Sequence, residues 1–259
     1  MELLLDTFLI AGIGICIYMS CWFVVSVVRQ RNDVADIAWG LGFLFVTLSL
    51  FWWHGVGVDR GGLVALLVSV WALRLSGHIF LRNRHKTEDP RYKKWRDEWG
   101  KWFYLRSYLQ VFMLQGVLLL AVVSPALIVM AYRGGGLTAL DVLGVGVWAI
   151  GFCFEVVGDW QLKTFKNDPA NKGKIMQSGL WAYTRHPNYF GEVMQWWGIW
   201  ISALSVPFGW LGIVGPVVIT ILILYVSGIP MLEHKMAHKP AFQEYKKRVS
   251  MFFPMLPRS

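Results

Sequence analysis

Seven apolar runs, at roughly 7–28, 36–54, 61–81, 107–132, 139–160, 191–205 and 210–229, dominate this chain of 259 residues. A helix rises about 1.5 Å per residue, so about 20 apolar residues cross a hydrocarbon core about 30 Å thick. With 56% hydrophobic residues and a mean hydropathy of +0.46, the chain is too apolar for an ordinary soluble domain. The expected fold is all-α, a polytopic membrane protein with about seven transmembrane helices. The sixth run is short, so its helix must begin among the polar residues that precede it, inside protein rather than lipid.

The basic residues predict orientation. Of 25 lysines and arginines, only Arg60 and Arg133 fall in loops on one side of this arrangement. The positive-inside bias therefore puts the N-terminus outside and the C-terminus in the cytoplasm. A net charge of +9 would also suit a nucleic-acid binder. Here the basic residues edge apolar spans, so the charge reads as a topology signal and no nucleic-acid partner is expected. Cys16, Cys21 and Cys153 sit in apolar spans without metal-ligand spacing and read as buried, reduced, structural residues. The first run lacks a basic flank and a small-residue cleavage site, so it reads as a retained helix rather than a signal peptide. Without internal repeats or a long polar insertion, residues 1–259 are expected to form one membrane domain.

Polar residues gather in two loops, about 82–106 and 161–190, and in a tail from 230. In the first loop Tyr92, Trp95, Trp99, Phe103 and Arg106 recur at helical spacing, with Lys93, Lys94, Arg96 and Lys101 on other faces. That pattern predicts an interfacial amphipathic helix, or else a cover over a pocket. Glu88 and Asp89 suit its N-terminal dipole. Asp33 and Asp36, three apart, share a face at the start of the second span. Asp33 can cap it, whereas Asp36 lies a turn inside and needs a partner, with Arg74 of the third span the expected one. Arg74, His78 and Arg82 line one face of that third span, and Arg82 can snorkel.

The segment GLWAYTRHPNYFGE, residues 179–192, places Arg185, His186, Asn188, Tyr189 and Glu192 at the mouth of an apolar helix. Ionisable groups entering a membrane span are costly, so they mark a candidate functional site. Pro187 fits the first turn of that helix. Upstream, Glu155, Asp159 and Lys163 share a helix face, and Lys166, Asn167, Lys172 and Lys174 follow in a loop whose composition suits an anionic ligand. The same lysines also satisfy the positive-inside bias.

The Arg-His-Pro-Asn-Tyr-x-Gly-Glu string resembles the C-terminal signature shared by steroid 5-alpha-reductases, sterol C14-reductases and isoprenylcysteine carboxyl methyltransferases. The tail FQEYKKRVSMFFPMLP is similar to theirs as well, and the whole chain is similar to a bacterial branch of steroid 5-alpha-reductase-like membrane enzymes. The resemblance implies an enzyme of the bacterial inner membrane whose site faces the cytoplasm, with cofactor binding in the half from about 139 to 259. It implies that NADPH is held, with no metal, by Asp159, Lys166, Arg185, His186, Asn188, Tyr189, Glu192, Tyr245 and Arg248. Lys166 stands where reductases often carry Arg. There is no Gly-x-Gly-x-x-Gly loop, so a dinucleotide would bind without a Rossmann unit. Where steroid reductases use a Gln-Glu pair and a Tyr at the substrate carbonyl, this chain offers Asp36, Trp39 and His78. Asp36 and His78 are the expected catalytic residues.

The reaction so implied is NADPH-dependent reduction of a carbonyl-conjugated C=C bond in a lipid or steroid-like substrate drawn from among membrane lipids. The alternative is an S-adenosylmethionine-dependent enzyme like the isoprenylcysteine carboxyl methyltransferases, whose tail Glu233 and Arg248 also match. His234 and His238, four apart, fit a diiron hydroxylase, but the six histidines, at 54, 78, 85, 186, 234 and 238, are too scattered for its ligand clusters. A non-enzymatic scaffold would not require polar residues gathered on one side, and a transporter would carry broken helices near midplane in both halves. Reporter fusions test the orientation. A fusion to the tail should report cytoplasm and one at 133–138 the exterior, and a cytoplasmic signal at 133–138 would overturn the seven-helix arrangement.

Overall fold

The computed structural model describes every residue except Val56, Val58, His85, Arg133 and Ser259, and of Arg91 only the backbone. Arg133 of the orientation argument and His85 of the histidine argument therefore lie outside the described residues. Among the described residues the chain is all-α, with a single isolated bridge, Thr184 to Ser250, as its only strand-like pairing. Among the described residues six helical segments are long and apolar enough to cross a membrane, and Cys16, Cys21 and Cys153, expected to be buried, lie exposed on two of them. The protein is a polytopic integral membrane protein.

The chain divides into two compact units. The first comprises Met1–Thr138 with Ala203–Gly215. Its helices are α1 (Glu2–Arg29), α2 (Val34–Trp53) and α3 (Arg60–Asn83), followed by a nearly continuous rod. That rod runs through α4 (Pro90–Trp99), a 3-10 turn, α5 (Phe103–Arg106), a π segment over Ser107–Met113 and α6 (Leu114–Ala131). Buried Leu4, Thr7, Ala11, Ile15, Met19 and Ser26 recur along one stripe of α1, while Leu5, Leu9, Ile13, Ile17 and Val28 are exposed. Apolar residues all round a helix, with only one stripe covered by protein, suit a helix whose other face meets lipid. α6 sits at the centre, and from Val122 to Ala131 every residue is buried.

The polar ends of α1, α2 and α4 are tied together. Arg31 grips Asp33 with two bonds, Nε at 3.0 Å and Nη2 at 2.7 Å. Asp33 occupies the N-cap position of α2 without capping it, because its carboxylate is engaged by Arg31. Glu88 accepts the Asn32 amide at 2.7 Å and Arg96 Nη2 at 3.1 Å. The acid expected at the helix dipole thus clamps the α4 entrance to the α1–α2 turn. The aromatic spacing in α4 and α5 does give a helix, with Tyr92, Trp95, Trp99 and Phe103 in successive ring contacts. Tyr92 and Phe103 are buried against protein, while Lys93, Lys94, Lys101, Trp102, Tyr104, Leu105 and Arg106 stay exposed.

The second unit comprises Ala139–Ser202 with Pro216–Ser259. It contains α7 (Ala139–Asn167), α8 (Pro187–Ala203, whose last residue passes to the first unit), most of α9 (Val214–Ile221), α10 (Ile229–Met236) and α11 (Pro240–Arg248). α8 begins inside the polar signature, as its short apolar run required. α7 and α8 run antiparallel with their backbones in close approach. A methyl built on Gly151 would lie 2.6 Å from the Gly191 carbonyl oxygen, and one on Gly144 would lie 2.6 Å from that of Gly198. Gly144, Gly151 and Gly158 are seven residues apart, as are Gly191 and Gly198, so one small-residue face meets another. In lipid, where apolar burial alone does not drive helices together, such contact lets dispersion forces act over a wide area. Gly151→Val should lower the stability of the purified protein by about 1–3 kcal/mol through overpacking. Gly146→Ala, on the same helix with open space around it, should be neutral or slightly stabilising. Thermal melts in one detergent compare the two, and equal melting temperatures would refute the close-packing account.

Candidate active site

The signature turn docks on the end of α7 before α8 begins. Gly179 takes φ +63°, in the left-handed region, and a side chain there would collide with Gln161. Gln161 Oε1 accepts the Leu180 amide at 3.0 Å, and Trp181 Nε1 donates to the Gly158 carbonyl at 3.1 Å. The other side of the turn is covered by the tail. Thr184 Oγ1 donates to the Phe252 carbonyl at 2.8 Å, the Arg185 amide to Ser250 at 2.9 Å, and the Met255 amide to Tyr183 at 3.0 Å. Buried Tyr245 donates its hydroxyl to the Trp181 carbonyl, and burial raises its pKa.

At the centre lies Glu233. Its Oε1 receives Arg185 Nε and Nη2, each at 2.8 Å, and His186 Nε2 at 3.2 Å, while Oε2 faces Lys246 Nζ at 3.3 Å. Arg185 Nη1 continues to the Val249 carbonyl at 2.6 Å and the Lys246 carbonyl at 3.3 Å, closing the C-terminal end of α11. Arg185 and His186 are both buried, at 5% and 2% exposure. Burial pushes the His186 imidazole below its ordinary pKa, opposed by its bond to Glu233. The guanidinium expected to meet a phosphate is thus engaged by a carboxylate and two carbonyls of its own chain.

Other expected site residues line the first turns of α8 and the end of α7. Asn188 Nδ2 donates to Asp159 Oδ1 at 3.0 Å, which fixes the amide's orientation. Glu192, one turn further along α8, is half-buried, and Tyr189 stacks on His186 at 5.8 Å between ring centres. Lys166 is exposed in the last turn of α7, and exposed Arg248 donates to Gln177 Oε1 at 3.0 Å. Deeper in the unit, Gln195 Nε2 donates to Glu155 Oε2 at 2.6 Å, both side chains being buried. Gln195 was absent from the expected site. Its signal was a lone amide in the run VMQWWGIW.

In the first unit, Asp36 stands in the first turn of α2 and accepts the Tyr92 hydroxyl at 2.9 Å. Tyr92, expected on a helix that anchors at the interface or covers a pocket, is thus a partner of the acid. Arg74 and His78 are half-buried on α3.

Apolar spans with internally paired polar residues at their ends define an integral membrane protein. The family model described as "Protein of unknown function (DUF1295)" matches residues 22–249, and the chain belongs to that family, among the steroid 5-alpha-reductase-like proteins. It is 26% identical over 266 residues to an uncharacterized protein of Schizosaccharomyces pombe, covering 90% of this chain and 74% of that one. It is 28% identical over 114 residues to 3-oxo-5-alpha-steroid 4-dehydrogenase 1 of Homo sapiens, covering 44% of this chain and 41% of that one. A probable O-methyltransferase of Ustilaginoidea virens is 37% identical over 78 residues, 29% of this chain and 26% of that one. The match thus spans about two-fifths of the steroid dehydrogenase and about a quarter of the methyltransferase. No solved structure matches the chain.

The Glu233 network generates a prediction. Removing one partner of a buried ion pair leaves the other uncompensated, at a cost of about 3–5 kcal/mol. Glu233→Gln should lower the melting temperature and expose the tail to trypsin at Lys246 and Lys247, which are already exposed, while Lys247→Gln should leave stability unchanged. Unchanged stability and cleavage in Glu233→Gln would show that the network does not hold the tail.

Proposed function

We propose that the protein is a membrane-embedded, NADPH-dependent reductase of a carbonyl-conjugated C=C bond in a lipid or steroid-like substrate. The observation that carries this reading is the oriented set at the start of α8. Asp159 accepts one Asn188 N–H and so turns the amide oxygen of Asn188 away from itself. Glu192 follows on the same helix face. An amide and a carboxylate so arranged can meet a carboxamide and a ribose hydroxyl. Exposed Lys166 and Arg248 offer cations for phosphates, Arg with a two-pronged geometry that Lys lacks. The donor set therefore fits an anionic dinucleotide held by Asp159, Lys166, Asn188, Tyr189, Glu192 and Arg248. In this reading Arg185, His186 and Tyr245 shape the wall behind them rather than touch phosphate.

NADPH, when bound, supplies the hydride. The chain's own task at the substrate is to stabilise the charge that grows on the carbonyl oxygen, which needs a placed donor in a dry site. Asp36, with the Tyr92 hydroxyl bonded to it, is a pair able to hold a proton there, and His78 is a further donor on α3. The steroid dehydrogenase relatives support this substrate class, and the membrane location supports an apolar substrate. The positive-inside bias supports a site at the cytoplasmic face, and the resemblance to a bacterial branch supports an inner membrane.

A second reading, methyl transfer from S-adenosylmethionine, is favoured by the methyltransferase relative. Binding to the purified protein separates the two. Saturable NADPH binding without S-adenosylmethionine binding is expected, and the reverse would overturn the reductase. With a 3-oxo-4-ene steroid as first substrate, Asp36→Asn and Tyr92→Phe should each slow NADPH oxidation about 10²- to 10⁴-fold. Their NADPH affinity should stay unchanged, and full turnover in both would remove the pair from the chemistry.

A further inference from the structure

The segment that follows α11 presents an apolar tip. Phe253, Met255 and Leu256 are 65%, 57% and 82% exposed. This tip is held rather than loose. The Met255 amide bonds to Tyr183, and the Arg258 amide bonds back to the Arg248 carbonyl at 2.9 Å, closing a loop over 248–258. Pro254 and Pro257 restrict the backbone within it. Fixed display of three large apolar side chains to water would be unfavourable at roughly 25 cal/mol per Å².

Two observations identify what covers them. The first is depth. Phe253 contacts Phe190 with ring centres 6.2 Å apart, and Phe190 contacts Phe154 of α7 at 5.0 Å. Phe154 lies five residues before Asp159, about 7.5 Å inside the polar end of that span. Beside that end, Trp160 of α7 is exposed, as interfacial tryptophans are. The second is charge. Lys246, Lys247 and Arg248 end α11 next to the tip, and Arg258 follows it, all exposed. Apolar side chains flanked by cations at the depth where a span leaves the hydrocarbon match a bilayer interface.

We propose that Phe253, Met255 and Leu256 insert into the headgroup–acyl boundary of the leaflet at the basic ends of the spans, with Lys247 and Arg258 on anionic lipid headgroups. The tail is then a membrane-seated wall of the signature turn, fixed on one side by Glu233 and Arg185 and on the other by lipid. The insertion stands independently of which cofactor the site takes.

Spin labels test it in the full chain, with Cys16, Cys21 and Cys153 changed to Ser and one copy per nanodisc. Labels at Phe253→Cys and Leu256→Cys should be accessible to oxygen and shielded from a water-soluble nickel complex, and a label at Lys247→Cys should show the reverse. In discs containing phosphatidylglycerol, Lys247→Gln and Arg258→Gln should each reduce the inserted fraction relative to the exposed one by roughly five-fold, about 1 kcal/mol per charge. In phosphatidylcholine alone they should have no effect. Nickel accessibility at 256 equal to that at 247 overturns the insertion, as does shielding that appears only with two copies per disc, which would assign the patch to a second chain. Shielding that is the same in both lipids, with no effect of the charge changes, overturns the headgroup pairing.

Discussion

The second unit depends on one ion pair that cannot be opened cheaply. Arg185 is buried, and a guanidinium removed from water requires a compensating charge and partners for its remaining N–H groups. Glu233 supplies the charge, and the Val249 and Lys246 carbonyls supply the partners. Because those carbonyls belong to the end of α11, neutralising the arginine also fixes where the tail runs. Thr184, Tyr245 and the Arg185 amide then add neutral bonds along the same contact. The signature turn is therefore half of a structure whose other half lies about 60 residues further along the chain.

The position of α8 depends on a different kind of constraint. Its polar first turn is useful only if it lies against the end of α7, and the glycine faces set that distance. Gly158 brings Pro187 and Asn188 close, and Asp159, the next residue, is then within 3.0 Å of the Asn188 amide. A larger residue at 158 would push the two apart before any polar contact formed. Backbone proximity comes first here, and the oriented amide follows from it. Gln195 packs at the Gly151 crossing and donates to buried Glu155, one turn further along α7, so a polar bond is closed within the close-packed region.

The transmembrane architecture was legible because lipid imposes a length and composition on each span that few other folds require. The start of α8 within the signature was also legible, since a short apolar run had to borrow polar residues. Side-chain pairings were much less so. Arg185 looked like a phosphate ligand because sequence shows its charge and not the carboxylate 48 residues away that meets it. Helix spacing pointed Asp36 toward Arg74 and could not show that the Tyr92 hydroxyl, from α4, also reaches it. Tyr92 itself carried the periodicity of a membrane anchor, and periodicity gives a face without saying what covers it. Glu88 looked like a dipole complement and serves as a tether, because a carboxylate near a helix start can also meet the backbone of a distant turn.

Buried charge also sorts the site residues into roles. A side chain whose donors are all engaged within the protein would have to break those bonds to meet a ligand, and in a region of low dielectric each broken bond is costly. Arg185 and Tyr245 are in that state. Arg248 and Lys166 are exposed, and the bond Arg248 makes to Gln177 lies in water, where exchanging it costs little. Asn188 is intermediate, since one of its N–H groups is held by Asp159 and that bond leaves its carbonyl oxygen aimed by the protein rather than free to rotate. The residues that shape the site are thus the buried ones, and those able to recognise a ligand are the half-buried and exposed ones beside them. That division follows from desolvation and hydrogen bonding alone.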